Sequence, residues 1–349
     1  MMCKKIMSIA ALAAGCILIS GCSQDHFAAK KDDTSPCSRD IFAMDTYMNL
    51  KAYGTDADKA LSEAEERILT LEKELSVTSD GSDIYKLNNA SGEAVDICDD
   101  AAFLIEQSKK FSEKTLGCLD ITVYPMLRKW GFTTGEYSLP DKKRLSELLQ
   151  YVGSDKIHIN GNTVQLPENV QVDLGAVTKG YTGDEVIEIF RSYNIRSGII
   201  SLGGNVQTLG TKTDGTDWKV AVRDPFKTDT DMCILEIADK AVITSGNYER
   251  FFIGEDGKRY CHIIDPKDGF PADNGFVSVT VIGENGLTCD ALSTAVFVAG
   301  EDGASEIIKS FPGYDFVIVS DKEKVYYTEG LTGHFQNTST MDTEVMTFD

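Results

Sequence analysis

The sequence predicts an α+β fold, and three observations lead there. Apolar residues recur at 57, 60, 61, 64, 68, 71 and 75, the spacing of a helix with one buried face. From Gln171 onward, short β-prone runs follow one another, separated by Gly-containing turns. Helical and strand patterns also mix without the strict alternation of a parallel βαβ fold.

In chain order, residues 41 to 53 alternate well enough to form one strand, with Met44, Asp45 and Thr46 inside it. The 57–75 helix follows, then a loop around Gly81 and a second helix from about Asp99 to Lys114. Residues 120 to 132 contain Pro125 and end in Trp130-Gly131-Phe132. A third helix runs from about Asp141 to Val152, with Leu145, Leu148, Leu149 and Val152 on one face. Short strands surround Asn160-Gly161, a hairpin dipeptide. Asp173 to Gly180, DLGAVTKG, leads into a helix carrying Val186, Ile187, Ile189 and Phe190. Strands are expected near 197–202, 205–209, 218–222, 232–237, 241–244, 259–264 and 276–282. A helix bearing Asp290 comes next, then one near Ala304 to Ser310 and two closing strands.

The first residues point to export. Lys4 and Lys5 precede an uncharged run from Ile6 to Ile19, followed by Ser20, Gly21 and Cys22. That is the build of a signal peptide, and the run is shorter than the ~20 residues a membrane span needs. LISGC is similar to a bacterial lipobox, in which Cys22 is lipidated and becomes the first mature residue. The chain then divides into a signal peptide (1–21), a polar tether (22–38), one folded domain (39–335) and a C-terminal tail (336–349). The expected location is the extracytoplasmic face of the cell membrane, held by lipid.

Composition narrows the partners. The formal charge of −21 becomes −23 once Lys4 and Lys5 leave with the signal. Such a surface argues against nucleic acid and against adhesion to anionic headgroups. A phosphate ligand would have to be held locally, by metal, helix ends or backbone N–H groups. Six cysteines (37, 98, 118, 233, 261 and 289) lie beyond the signal without a CxxC or a regular framework, and read mainly as small buried residues.

The densest chemistry is in DALSTA, Asp290 to Ala295. Asp290 and Thr294 are four apart, so both oxygens leave one face of a helix. A carboxylate among Ala291, Leu292, Val296 and Phe297 must be paired, hydrogen-bonded or metal-bound. One carboxylate, one hydroxyl and a backbone carbonyl suit a hard cation such as Mg²⁺. The residues alone also allow Asp290 as a helix cap and Thr294 as a core hydroxyl. Four histidines are present, and His26 and His334 fall near the ends. Of the other two, only His262, not His158, sits inside a dense motif.

Gly-rich and polar segments recur upstream of DALSTA. DLGAVTKG places Gly175 before a helix whose N–H groups attract phosphate. SLGGN (201–205), WKVAVRDP (218–225), TSGNY (244–248) and HIIDP (262–266) follow. Each alone reads as a turn. Together with MDT, LDITVYP…WGF and DALSTAVFVAG, in this order, the sequence resembles the ApbE family of FAD:protein FMN transferases from about Ile41 to Ile308.

The resemblance implies a T-fold-like α+β architecture and Mg²⁺-dependent transfer of the FMN half of FAD onto a Thr or Ser hydroxyl, releasing AMP. It implies that Asp290, Thr294 and the Ala176 carbonyl bind the metal. Met44, Leu119, Asp120, Asp173, Lys179 and Ile264 would line the flavin nucleotide, and His262 would be the general base. Acceptors would be flavoprotein subunits of membrane or exported redox complexes. One departure stands out. Many relatives carry an aromatic residue after the first helix, in an S-T-Y-like run. Here the run is Ser76-Val77-Thr78, with Tyr85 seven residues further on. Two other readings stay open: a Mg²⁺-dependent FAD pyrophosphatase yielding FMN and AMP, and a non-catalytic flavin-binding lipoprotein.

Overall fold

Adjacent residues on the central strands are buried on opposite faces, and this decides the architecture. Ala241 and Ile243 join one core while Val242, between them, joins another; Phe316 and Ile318 alternate with Val317 and Val319 in the same way. Strands that are apolar on both sides need cover on both sides. The computed structural model describes residues 35–347, and it provides helices on one face and a second sheet on the other.

The chain opens with β1 (Pro36–Ala43), β2 (Thr46–Tyr53), α1 (Ala57–Leu75), α2 (Asp83–Asn88), β3 (Ala94–Asp96) and α3 (Asp99–Lys114). Next come α4 (Tyr124–Trp130), α5 (Lys142–Leu149), β4 (His158–Asn160), β5 (Thr163–Gln165) and α6 (Thr178–Ser192). A run of strands follows: β6 (Ser197–Leu202), β7 (Asn205–Leu209), β8 (Trp218–Arg223), β9 (Asp231–Ile237), β10 (Ala241–Gly246), β11 (Phe251–Ile253), β12 (Arg259–Cys261) and β13 (Phe276–Gly283). The remainder is α7 (Gly286–Lys309), β14 (Asp315–Ser320), β15 (Lys324–Thr328), β16 (Phe335–Asn337) and β17 (Asp342–Met346).

The main sheet has the order β1-β2-β6-β7-β10-β13-β14-β15-β17, antiparallel except for the β15–β17 pair. α1, α6 and α7 cover one face. The sheet β16-β9-β8 covers the other, through Val220, Val222, Cys233 and Leu235. The fold is α+β, as the sequence predicts. All seven apolar positions expected in α1 are buried.

Four expectations need correction. Residues 41 to 53 are not one strand but the β1–β2 hairpin, turning at Met44 and Asp45 with φ of 51° and 57°. A two-residue turn leaves the alternation unbroken, and Met-Asp lacks the Asn-Gly signal that such turns favour. Pro36 to Ser38, read as tether, already pair with Lys51 to Tyr53. The expected tail also pairs: Gln336 and Asn337 with β9, and Asp342–Met346 with β15. Those strands are polar and exposed, so no apolar alternation announces them. Finally, α2 is a helix where a loop is expected, and α4 a helix in a segment assigned no element from sequence.

Gly300 breaks α7 with φ 63° and ψ −164°, backbone open in practice to glycine alone. A Cβ there would lie 2.2 Å from the Cβ of Asn274. Gly300→Ala should therefore cost at least ~2 kcal/mol in urea unfolding. A change under about 0.5 kcal/mol, the range of neutral surface changes, would show that the break is not a constraint.

Candidate active site

A cleft of about 1020 Å³ opens beside the N-terminal ends of α6 and α7. Met44, Leu119, Asp120, Asp173, Ala176, Lys179, His262, Ile264, Asp290 and Thr294 all line it. Every site residue expected from the sequence within the described chain thus reaches one cavity. Cys22 lies outside the described residues.

Two helix starts build its floor. α6 and α7 each carry a glycine in the first turn and an aspartate four residues later: Gly180 with Asp184, and Gly286 with Asp290. The first N–H groups of a helix lack intrahelical partners. Here each helix supplies the other's. Gly180 N–H donates to Asp290 Oδ2 at 2.8 Å, and Gly286 N–H donates to Asp184 Oδ1 at 2.7 Å. Leu287 N–H and the Asn285 amide also donate to Asp184 Oδ2, at 2.9 and 3.0 Å. The crossing is close enough that a Cβ on Gly180 would lie 2.2 Å from the Gly286 carbonyl oxygen. Asp290 is therefore a cap after all, but of the neighbouring helix.

Asp290 is buried, with 5% of its surface exposed. Burial pushes its carboxyl above the usual range, while Lys179, the Gly180 N–H and the nearby Asn205 amide pull it back. The Asn205 Nδ2 is buried and makes no well-formed hydrogen bond among the described residues. Thr294 Oγ1 lies 3.2 Å from Ser245 Oγ. Because Gly180 N–H turns to Asp290, it does not close a helical bond to the Ala176 carbonyl. Among the described residues that carbonyl accepts no backbone hydrogen bond. Nor is any group of three or more His, Cys, Asp or Glu placed among them to hold a metal ion. The donors that remain are one carboxylate, one hydroxyl and one carbonyl, a set fitted to a hard cation that keeps water and takes phosphate oxygens.

His262 follows β12. Its Nδ1 lies 3.2 Å from the Arg250 carbonyl, and its N–H donates to the same oxygen at 3.0 Å. A carbonyl can only accept, so Nδ1 carries the proton and Nε2 holds a lone pair. Burial, then the charges of Lys179 and Arg250, lower the imidazole pKa to about 4. The ring is neutral near pH 7. Asp173 accepts from Gly175 N–H at 2.6 Å, and burial pushes its carboxyl up against that bond and the same two cations.

The remaining residues shape the walls. Met44 N–H donates to Glu72 Oε1 at 2.6 Å, tying the β1–β2 turn to α1. Asp120 accepts from Thr122 N–H and Ser154 N–H at 2.8 Å each, so its carboxylate holds the loop that presents Leu119. Ile264 sits in a core with Met126 and Trp130. Glu72, Asn205, Ser245 and Arg250 also line the cleft, unforeseen from sequence. Arg250 lies two residues beyond TSGNY but has no spacing signal, and its guanidinium donates to the Phe132 carbonyl. Ser76, Val77 and Thr78 face the cleft, whereas Tyr85 is not among its lining residues.

Comparison with known proteins shows which family the chain is similar to. The ApbE family model matches residues 44–318. The FAD:protein FMN transferase of Treponema pallidum is 30% identical over 316 residues, covering 84% of this chain and 87% of that one. The crystal structure of the ApbE protein from Thermotoga maritima superposes with a TM-score of 0.81 at 30% identity, over 86% of this chain and 99% of that one. The apo flavinyl transferase ApbE of Pseudomonas stutzeri gives 0.73 at 26% identity, over 82% and 92%. This chain belongs to the ApbE family.

Proposed function

We propose that this protein transfers the FMN moiety of FAD to a Thr or Ser hydroxyl of an acceptor flavoprotein and releases AMP, with Mg²⁺ bound at Asp290, Thr294 and the Ala176 carbonyl. The observation that carries it is that His262, with Nδ1 facing the Arg250 carbonyl and Nε2 left as the base, lines the same cleft as Asp290. The acceptor hydroxyl gives its proton to Nε2 as its oxygen bonds to the FMN phosphorus. The bond from that phosphorus to the bridging oxygen breaks, and AMP leaves with that oxygen. With its pKa lowered to about 4, the ring is unprotonated at neutral pH and can take that proton, as a weaker base than an ordinary histidine. Lys179, beside Asp290, Asp173 and His262, opposes the negative charge of the pyrophosphate. When bound, Mg²⁺ supplies Lewis-acid neutralisation of the phosphate oxygens. Asp290 and Thr294, one turn apart on a buried helix, offer it two oxygens at a fixed spacing.

A second reading is favoured by one observation. Ser76-Val77-Thr78 presents no aromatic ring to the cleft, so water in place of the acceptor would make the same residues an FAD pyrophosphatase.

Attachment to the membrane rests on the leader. Among the described residues no helix is long and apolar enough to cross a membrane. We propose lipid on Cys22 and a position at the extracytoplasmic face, where acceptor subunits of membrane or exported redox complexes are met. Cys22→Ser should release the protein from membranes or leave it unprocessed. Normal processing with undiminished membrane association would rule the anchor out.

Asp290→Asn keeps an oxygen for Gly180 N–H but loses the charge. Mg²⁺-dependent turnover should fall on the order of 10³-fold, the several kcal/mol a metal supplies, with the fold retained. Near-native turnover at limiting Mg²⁺ would remove the metal from this site.

His262→Ala should lower turnover by about 10² to 10⁴-fold, the range of general acid–base catalysis. A base acts only when unprotonated, so kcat/KM of the parent should rise with pH through about 4 and stay flat across the ordinary histidine range. That limb should vanish in the variant. Its persistence would assign the titration to another group.

A further inference from the structure

We infer that Asp184 is a positioning residue for the metal-binding oxygens of Asp290, acting through the first turn of α7. The inference rests on the reading that places Mg²⁺ at Asp290. The paired Gly-x-x-x-Asp starts of α6 and α7 are alike in sequence but not in use. Asp184 spends both oxygens on Gly286 N–H, Leu287 N–H and the Asn285 amide, and it does not line the cleft. Asp290 gives one oxygen to Gly180 N–H and lines the cleft. One carboxylate therefore fixes the crossing while the other keeps an oxygen for a ligand.

The geometry leaves little slack. Gly286 and Asp290 are one turn apart, so a shift of the α7 start carries Asp290 with it. Gln207, from β7, donates to the Gly180 carbonyl at 3.0 Å and lies beside Asp184, tying the crossing to the main sheet. A Cβ at Gly286 would lie 2.8 Å from Asp184 Oδ1 and 2.6 Å from the Gly180 carbonyl. Asp184 thus holds α7 against α6 at the separation where Asp290 meets Gly180 N–H. Metal affinity is sensitive to such outer supports.

Asp184→Asn keeps the shape but turns one acceptor into a donor facing an N–H. Asn285→Asp keeps an acceptor for Thr288 N–H at the α7 cap, where Asn285 Oδ1 accepts at 2.9 Å, and loses the amide donor to Asp184. Asn285 is exposed, so this variant should fold even if the first does not. Mn²⁺ is titrated by electron paramagnetic resonance into the full-length protein with FAD and no acceptor, beside Asp290→Asn. Asp184→Asn should weaken Mn²⁺ binding about 10- to 100-fold, as loss of an outer support does. Asn285→Asp should weaken it at least about threefold, since it loses one hydrogen bond and sets a second carboxylate against Asp184. In turnover, the half-saturating Mg²⁺ should rise by similar factors while kcat at saturating Mg²⁺ stays within about twofold, since only metal binding is altered. If Asp290→Asn abolishes Mn²⁺ binding but the other variants bind as the parent does, the role of Asp184 is overturned and the metal site stands. If Asp290→Asn itself binds Mn²⁺ normally, the metal reading fails and this inference with it.

Discussion

The α6–α7 crossing is the constraint on which the rest of the site depends. Two helices begin side by side, and each meets the other's unpaired N–H groups with an aspartate from its second turn. Glycine at 180 and 286 permits the approach. Without it the backbones separate and neither carboxylate reaches its donor. The arrangement buries Asp290 with one hydrogen bond and a raised pKa, a state that a bound cation would relieve. Stability and the proposed metal site thus depend on one contact.

The same crossing sets the electrostatics. Lys179, beside Gly180, acts on Asp290, Asp173 and His262. In a chain of net charge −21, this cation and Arg250 offset part of the negative charge of the acidic residues that line the cleft. They also disfavour the imidazolium, and the Arg250 carbonyl fixes the tautomer. The base role proposed for His262 rests on where its proton already is, and the β12 end that places it there belongs to an aromatic cluster of Trp130, Phe252 and Tyr260.

Much of this was legible in the sequence. Helical periodicity marked α1 because its buried face spans five turns, and the ordered motifs brought all ten described site residues to one cleft. What was not legible had weak or absent local signals. Met44-Asp45 turns a hairpin without glycine, held by a contact from Glu72 that lies 28 residues away. β16 and β17 are exposed strands whose pairing is decided by partners in β9 and β15. Asp184 has no chemistry visible in its own neighbourhood. Its meaning appears only when Gly286, more than a hundred positions later, is seen against it.

Transfer to protein, as opposed to water, is tested most directly by mass spectrometry. The purified protein is incubated with FAD, Mg²⁺ and a Thr-containing acceptor domain, and the acceptor and free AMP are measured together. The expected result is an acceptor heavier by FMN less one water, mapped to a single Thr or Ser, with AMP released in equal amount. AMP appearing with an acceptor of unchanged mass would contradict it and make the cleft that of an FAD hydrolase.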